Sequence, residues 1–270
     1  MVRAVPTEQL PLGFSSNRAA AFASLGSGSR GNGTVVAFGD VYVLVDCGFT
    51  LKQTRERLAR LGLAPEQLSA ILVTHEHADH AQGVAQLARE YGLPIHASHG
   101  TWRGVGDWDD LDVRRFNGHQ QFDVCGVHIT PVPVPHDARE PTQFVLEGGG
   151  VRVGVLTDLG HVTRHVEDAY RRCDALLVEA NHDREMLWGG DYPVHLKYRI
   201  ASPLGHLANE QTVAFLEEIG SASMRHVVVG HISQQNNCAA RIERAFAGLA
   251  ARLPNLAFAT QGEGFGWVEM

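Results

Sequence analysis

The sequence predicts a single α/β domain over residues 19–270, after an irregular lead-in of residues 1–18. The first supporting observation is that predicted strands and helices alternate along the chain. The apolar run Ala70–Val73 predicts a short buried strand, Ala81–Tyr91 has helical spacing, and Pro94–Ala97 again predicts a strand. This strand–helix–strand order is typical of α/β folds. The second observation is that histidine and carboxylate residues directly follow apolar runs, as expected of loops at one edge of a sheet.

The first half of the chain begins with strands and tight turns. A candidate strand over Ala19–Leu25 leads into the glycine-rich run Gly26–Gly33, which cannot form a helix. This run lacks the Lys-Ser/Thr of a phosphate-binding loop, so it is either a plain tight turn or a turn that also borders the active site. The elements predicted next are a hairpin of Thr34–Phe38 and Val41–Val45, a helix over Leu51–Leu61, and a short helical turn at Pro65.

The second half of the chain also contains predicted strands, helices and loops. The acidic, polar stretch Trp102–Asp112 is expected to be an exposed loop, and Asn209 is expected to cap a helix. Strands are predicted over Val127–Val134, Phe144–Leu146, Val151–Leu156, Ala175–Val178, His226–Val229, Leu256–Ala259 and Phe265–Val268. Helices are predicted over Glu210–Ile219 and Asn237–Leu253.

Metal-binding residue types crowd into the segment Thr74–His80. It holds three histidines and two carboxylates directly after a predicted buried strand. Side chains alternate along an extended loop, so His75 and His77 point the same way, whereas Asp79 and His80 turn away and can reach a second ion. Histidine and carboxylate ligands suit zinc and manganese. A solvated histidine-rich loop is the alternative, but the density and position of these residues favour a metal site.

Three further single residues occupy similar positions. His136, Asp158 and His231 each follow an apolar run and precede glycine, proline or small residues. A lone histidine at a strand end is more often structural than a ligand. The repeated placement nevertheless predicts that these residues meet the Thr74–His80 segment at one edge of the sheet.

Composition narrows the possible functions. The chain has 270 residues, a net charge of -7 and four scattered cysteines without a CxxC pair. The acidic balance argues against a general polyanion binder but allows a local basic rim around a cationic site. The cysteine pattern favours a reducing cytosol. We expect neither a signal peptide nor a membrane span, because no long apolar segment is present.

The motif His75-x-His77-x-Asp79-His80 resembles that of the metallo-β-lactamase-fold hydrolases. The resemblance implies an αββα sandwich, two mixed β-sheets flanked by helices, with two divalent metal ions, Zn²⁺ or Mn²⁺. It also implies that Asp46, at a strand end, braces the metal loop through hydrogen bonds; a turn or cap residue is the alternative. It further implies that one ion binds His75, His77 and His136, the other binds Asp79, His80 and His231, and Asp158 bridges them.

The second half resembles ribonuclease Z in the order of its motifs, and the chain as a whole is more closely similar to the YycJ/WalJ-type proteins. The motifs that carry the closer resemblance are Ser24–Asn32, Thr74–His80, Thr157–Gly160, Glu179–Asp183, Leu196–Ile200, Gly205–Leu207 and Gly230–Asn237. It implies a metal-dependent 5′-to-3′ exonuclease on double-stranded DNA that is linked to repair, with a metal-activated water as nucleophile. Together with the cysteine pattern, this predicts a cytoplasmic enzyme. Ala208 stands where a serine is common in that family.

The same resemblance assigns roles to individual residues. His206, backed by Glu179, would protonate the leaving oxygen, and Asp79 would join the catalytic group. The alternatives are a helix-entry role for His206 and a structural role for Glu179. The candidate substrate contacts are His182, Lys197, Arg199 and Asn32; a buried hydrogen-bonded role for His182 and a solvated face for the two basic residues are the alternatives. DNA is the expected partner, and no obligate protein partner is inferred.

Three competing functions remain open from the sequence. A thioester hydrolase of the glyoxalase II type shares the ligand set but needs no leaving-group histidine, so His206→Ala separates it from a phosphodiesterase. An RNA phosphodiesterase of the ribonuclease Z type is the second. The third is a non-catalytic metal-binding protein, against which the complete ligand set argues.

Overall fold

Two seven-stranded sheets form the centre of the computed structural model, which describes residues 20–220, 224–253 and 255–270. The predicted lead-in, residues 1–18, lies outside these ranges. The strands in the described ranges are β1 (Ala21–Gly26), β2 (Gly33–Phe38), β3 (Val41–Val45), β4 (Leu68–Val73), β5 (Ile95–Ser98), β6 (Val113–Phe116), β7 (Phe122–Val124), β8 (Val127–Pro133), β9 (Thr142–Gly148), β10 (Val151–Leu156), β11 (Ala175–Glu179), β12 (His226–Gly230), β13 (Leu256–Phe258) and β14 (Phe265–Glu269).

The helices flank these sheets. They are α1 (Leu51–Arg60), α2 (Ala78–Ala81), α3 (Val84–Tyr91), α4 (His99–Val105), α5 (Arg164–Tyr170), α6 (Arg184–Gly189), α7 (Val194–Ile200), α8 (Asn209–Glu218) and α9 (Ala239–Ala250), with a 3₁₀ turn at Pro65–Gln67. Among the helices of the described ranges, none has the length and apolar character that crossing a membrane requires.

Both sheets repeat one arrangement of strand directions. The first has the order β14-β1-β2-β3-β4-β5-β6, and the second has the order β7-β8-β9-β10-β11-β12-β13. In each, the first three pairings are antiparallel and the last three are parallel. Parallel neighbours end at the same edge, so the loops after β3 and β4 lie together, as do those after β10, β11 and β12.

Three layers of buried apolar side chains explain why the central strands have continuous apolar sequences. Leu72 of β4 and Leu177 of β11 belong to the cluster between the sheets. Ile71 packs on the opposite face with Leu58 of α1 and Leu87 of α3, while Leu176 and Val178 pack with α5, α8 and α9. Each central strand therefore buries both faces, as expected for sheets covered on both sides. The result is the predicted αββα sandwich.

Two regions differ from the sequence expectation. The helix predicted over Ala81–Tyr91 is divided into α2 and α3, and a side chain at Gly83 would meet the Phe49 carbonyl oxygen at 1.9 Å. The stretch Trp102–Asp112 is not simply an exposed loop: its first residues belong to α4, and Trp108 is 3% exposed. The reason is that this stretch packs its indoles on the outer apolar layer of the first sheet.

The entry to α8 also differs. Asn209 is the first helical residue rather than its cap, since its side chain is engaged elsewhere. Its amide exchanges hydrogen bonds with the side chain of Asn237, at 2.8 and 3.1 Å. A buried partner from another element therefore overrides the local capping preference.

Candidate metal centre

The first ligand cluster consists of His75, His77 and His136. The Nε2 atom of His75 lies 2.9 Å from Nδ1 of His77, and Nε2 of His136 lies 3.4 Å from the same Nδ1. His75 and His77 come from the loop after β4, whereas His136 follows β8 of the other sheet. The three ring nitrogens converge as the ligands of one ion would.

The second ligand cluster consists of Asp79, His80 and His231, and Asp158 lies between the two clusters. Oδ2 of Asp158 lies 3.1 Å from Nε2 of His80 and 2.9 Å from Nδ1 of His231. Its other oxygen, Oδ1, lies 4.0 Å from Nε2 of His136 in the first cluster. The two oxygens of Asp158 thus face different clusters, which is the geometry of a bridging carboxylate.

Two buried atoms at this point have no hydrogen-bond partner among the described residues. They are Oδ2 of Asp158 and Nδ1 of His231, which approach each other without hydrogen-bond geometry. Unsatisfied buried polar atoms are rare and mark sites where another species belongs. Burial would raise the pKa of Asp158, but His231 and His80 lower it well below its usual range, so this residue is a carboxylate. The donor set therefore fits divalent metal ions.

Asp46 and Thr74 orient the histidines of the metal loop. Asp46 is 3% exposed and accepts hydrogen bonds from the backbone N–H and the hydroxyl of Thr74, both at 2.8 Å. Its Oδ2 also lies 2.8 Å from Nδ1 of His80. Because the Thr74 hydroxyl donates to Asp46, it accepts from Nδ1 of His75, at 2.9 Å. Both histidines then present Nε2 to the site, as outer hydrogen bonds commonly arrange for metal ligands.

His136 is oriented by a backbone carbonyl. Its Nδ1 lies 3.0 Å from the Gly205 carbonyl oxygen, so Nδ1–H donates and Nε2 faces the cluster. Burial lowers the pKa of His136, and burial together with the neighbouring His80 lowers the pKa of His75 well below its usual range. Neutral imidazoles are the form that binds metals.

The backbone is unusual at three strand ends. Asp46, Asp158 and His231 have φ values of +62°, +52° and +48°. Residues other than glycine rarely adopt this left-handed conformation, which costs of order 1–3 kcal/mol and persists only where surrounding structure imposes it. The fold therefore holds these three side chains toward the shared edge at a conformational cost.

His206 and Glu179 form a hydrogen-bonded pair beside both clusters. Nδ1 of His206 lies 3.0 Å from Oε2 of Glu179. The other carboxylate oxygen of Glu179 accepts from the backbone N–H groups of Leu159 and Leu207, at 2.8 and 3.1 Å. Burial lowers the pKa of His206, but Glu179 foremost, with Asp158, raises it to about 9.

Comparisons with known proteins identify the family of this chain. The β-lactamase superfamily domain matches residues 42–232. Over 223 residues the chain is 35% identical to the exodeoxyribonuclease WalJ of Streptococcus pneumoniae serotype 2 (strain D39), covering 80% of this chain and 82% of that protein. Over 220 residues it is 32% identical to the exodeoxyribonuclease YycJ of Bacillus anthracis, covering 80% and 83%. The chain belongs to the WalJ/YycJ family of the β-lactamase superfamily.

A solved structure supports the fold of this WalJ/YycJ family member. The metallo-β-lactamase fold protein YhfI of Bacillus subtilis superposes with a TM-score of 0.70 at 16% identity, covering 93% of this chain and 99% of that chain. The predicted metallo-β-lactamase αββα sandwich is thereby confirmed.

The expected substrate contacts of this WalJ/YycJ protein occupy different surroundings. Arg199 is largely exposed and ion-pairs with Asp137, whose other oxygen lies 3.4 Å from Nε2 of His136. Its guanidinium therefore lies at the rim of the first cluster. Lys197 is only 8% exposed, and its ammonium donates to the carbonyls of Trp188 and Gly190 at 2.9 and 2.6 Å. These bonds argue against the phosphate contact expected for Lys197, because its ammonium already holds the end of α6.

Asn32 and His182 are both buried. The amide of Asn32 exchanges hydrogen bonds with Gly28 and donates to Oδ2 of Asp79 at 3.3 Å. Asn32 thus braces the metal loop, which argues against the direct substrate contact expected for it. His182 is 2% exposed, and its Nδ1 has no hydrogen-bond partner in the part of the chain that the structure describes. Burial lowers its pKa to about 4, so this imidazole is neutral.

Sequence reasoning gave no role to two residues that shape the site. Thr74 links Asp46 to His75, and its position directly before the first histidine was a usable signal. A side chain at Gly48 would approach the Asp79 carbonyl oxygen to 1.7 Å. The signal for Gly48 was its place directly after the strand-end Asp46-Cys47, but only the tertiary structure shows the close approach.

Proposed function

We propose that this chain is a dinuclear metal-dependent phosphodiesterase that degrades DNA as a 5′-to-3′ exonuclease. The observation that carries the proposal is the junction of the two ligand clusters with the His206–Glu179 pair at one sheet edge. Metal ligands alone fit many hydrolases, whereas a carboxylate-backed histidine beside them suits a reaction with a poor leaving group. The relatives WalJ and YycJ, named as exodeoxyribonucleases, support DNA as the substrate. The proposal includes a role in DNA repair.

Each cluster would hold one ion, zinc or manganese. The convergence of three donor atoms in each cluster supports this assignment, as does the placement of Asp158 between them. When bound, such ions activate water and neutralise the charge that develops on the phosphate. Asp46, Thr74 and the Gly205 carbonyl contact the outer ring nitrogens of His80, His75 and His136, so that Nε2 of each ring faces the site.

His206 would donate a proton to the departing sugar oxygen. An expelled alkoxide is a strong base and must be protonated, and an imidazolium is a suitable donor. Glu179 keeps that proton on His206 through its hydrogen bond and negative charge. The two backbone N–H groups that bind the other oxygen of Glu179 hold the carboxylate in place. Asp79 would act from the second cluster as a ligand.

Arg199 would contact a phosphate of the substrate, since its exposed guanidinium lies beside Asp137 at the rim of the site. Such contacts position DNA without reading its sequence. His182 would help to shape the pocket near Glu179 as a neutral imidazole. We place the protein in the cytoplasm, where its DNA substrate is found and where four free cysteines are expected to stay reduced.

The decisive experiment incubates purified protein with end-labelled duplex and single-stranded DNA and RNA, in Mn²⁺, in Zn²⁺ and after chelation. We expect shortening of duplex DNA from the 5′ end with metal and none after chelation. Asp158→Asn should abolish cleavage and lower the bound metal measured by mass spectrometry. Hydrolysis of S-lactoylglutathione without cleavage of any nucleic acid would instead establish the thioester hydrolase. Cleavage of RNA in preference to DNA would favour the ribonuclease Z type of activity.

A further inference from the structure

Within the described ranges, the large exposed apolar residues lie in one segment of the chain, between residues 184 and 204. In the part of the chain that the structure describes, these residues are Trp188, Val194, Tyr198 and Leu204, exposed by 46%, 66%, 65% and 49%. Single exposed apolar residues are ordinary, but a contiguous group marks an interaction surface. The segment that carries them contains α6 and α7.

This segment is continuous with the metal centre at both ends. It starts directly after Glu179–Asp183 and ends at Gly205–His206. The backbone N–H of Asp137 donates to the Leu204 carbonyl at 3.0 Å. The next residue, Gly205, accepts the hydrogen bond that orients His136. A molecule seated on this segment would therefore extend into the site where phosphodiester bonds are expected to be cut.

The side chains of Trp188 and Tyr198 form an aromatic pair on the surface. Trp188 and Tyr198 have ring centroids 5.2 Å apart and an interplanar angle of 72°. An edge-to-face pair supports the rings and leaves aromatic face open to solvent. The buried Lys197 fixes the arrangement, since its ammonium binds the Trp188 carbonyl from the adjoining turn of α7. The backbone at Trp188 is thus tied to α7, the helix that carries Tyr198.

We propose that Trp188 and Tyr198 stack against a nucleobase of the DNA end whose backbone enters the metal centre. Exposed aromatic rings are a common device for holding unpaired bases, because every base offers a face for stacking. Arg199, one residue from Tyr198, supplies the cation for the adjoining phosphate. An exonuclease must separate the end nucleotide from its partner strand, and a stacking surface stabilises the unpaired base. This inference rests on the proposed function.

A second copy of the chain is a poorer occupant. A stable interface buries about 800 Å² on each partner and involves about 20–30 residues a side. The described surface offers four large apolar residues in one segment, two of them aromatic. This small aromatic group suits one or two nucleobases better than a subunit interface.

The test combines two changes: substitution of each aromatic residue in the protein, and removal of the nucleobase from the end nucleotide of the DNA. Wild type, Trp188→Ala and Tyr198→Ala are compared on duplex DNA with normal ends and on the same duplex with abasic end nucleotides. On normal ends we expect each variant to raise KM by roughly 5- to 150-fold, the range for losing one stacked base. On abasic ends the ratio between variant and wild type should fall toward one. Trp188→Phe should recover most of the loss, because a ring is retained.

Tyr91→Ala is the matched control, since it truncates a partly exposed aromatic residue on α3, outside the segment that contains α6 and α7. It should leave the KM for DNA unchanged, and melting temperatures verify that every variant folds. Equal losses on normal and abasic ends would overturn the inference, as would a Tyr91→Ala defect as large as that of Trp188→Ala. A wild-type dimer in sedimentation that Trp188→Ala converts to a monomer would identify the surface as a subunit interface.

The two proposals fail in different ways. DNA cleavage that is unchanged in Trp188→Ala and Tyr198→Ala would refute the stacking surface and leave the exonuclease intact. A wild-type protein that binds single-stranded oligonucleotides through Trp188, measured by quenching of tryptophan fluorescence, but cuts no nucleic acid would refute the exonuclease alone. Failure both to bind and to cut would refute both.

Discussion

Replacing His206 by alanine tests the proton transfer on which the proposed phosphodiesterase depends. The substitution removes the imidazole that Glu179 holds at 3.0 Å and leaves the two ligand clusters in place. The loss should depend on the leaving group. A sugar oxygen needs a proton as it departs, whereas p-nitrophenolate is stable as an anion. His206→Ala should therefore impair DNA cleavage far more than hydrolysis of bis-p-nitrophenyl phosphate.

The expected loss of activity in His206→Ala follows from the proposed role of His206 as a general acid. General acid catalysis contributes about 10²- to 10⁴-fold, so kcat for DNA should fall by that factor, with less than about a tenfold change on the activated ester. Glu179→Gln keeps the imidazole but removes the charge that raises its pKa to about 9. At pH 7.5 a group with that pKa is about 97% protonated, against about 9% at the ordinary value of 6.5. Glu179→Gln should thus cost about tenfold at pH 7.5, and the loss should shrink as the pH falls.

The assay measures initial rates on both substrates between pH 5.5 and 9, at saturating Mn²⁺, with bound metal quantified for each variant. His165→Ala, which changes an exposed histidine on α5, is the control and should match wild type on both substrates. Equal losses of His206→Ala on DNA and on the activated ester would refute the leaving-group role. A parallel loss of bound metal would show instead that His206 is a ligand, as its closeness to Asp158 and His231 also allows.

Three further predictions concern the surroundings of the site. Asp46→Ala should lower metal affinity about 10- to 100-fold in equilibrium dialysis, because His80 loses its orienting carboxylate. Gly48→Ala should lower the free energy of unfolding in urea by about 1–3 kcal/mol, since the methyl group would overlap the Asp79 carbonyl. Burial lowers the pKa of His96 to about 4. As the pH falls from 6.5 toward 4, the unfolded chain binds a proton at His96 that the folded protein does not bind, so the folded protein loses stability over this range and not above pH 6.5. His96→Phe should remove on the order of 3 kcal/mol of that acid-induced loss, measured by urea unfolding of chelated protein.

Each of these three has a control or a contrary outcome. Asp40→Asn, in an exposed hairpin turn, should leave metal affinity unchanged. Gly248→Ala lies in α9 with open space around it and should stabilise the protein by roughly 0.5–1 kcal/mol, a change opposite in sign to that of Gly48→Ala. An unchanged slope of stability with pH in His96→Phe would show that other groups cause the acid loss.

Much of the architecture could be read from local pattern. The runs Val41–Val45 and Ala175–Val178 are apolar without alternation, and the structure buries both of their faces. The Thr74–His80 segment identified the metal loop because its ligand types are rare together and follow a buried strand. His136, Asp158 and His231 were identified by their position after strands, and the parallel halves of the two sheets bring them to that loop.

Other features depend on contacts between residues that are distant in sequence, so local sequence patterns do not predict them. The ring nitrogen that His136 presents is decided by the Gly205 carbonyl, 69 residues away in sequence. Lys197 looked like a phosphate contact, but once α6 and α7 pack, two backbone carbonyls lie within reach of its ammonium. Trp108 lies in an acidic stretch, yet the apolar layer beside it offers a place for its ring.

By itself the sequence determined which residues can bind metal and on which strand ends they lie, because residue type and strand periodicity are local properties. Only the tertiary structure decided which atoms converge in the two ligand clusters, which polar groups are already satisfied, and where Asp46, Asp158 and His231 adopt positive φ. Those outcomes depend on packing two sheets together. A buried polar group takes whichever partner the completed fold brings within hydrogen-bonding distance.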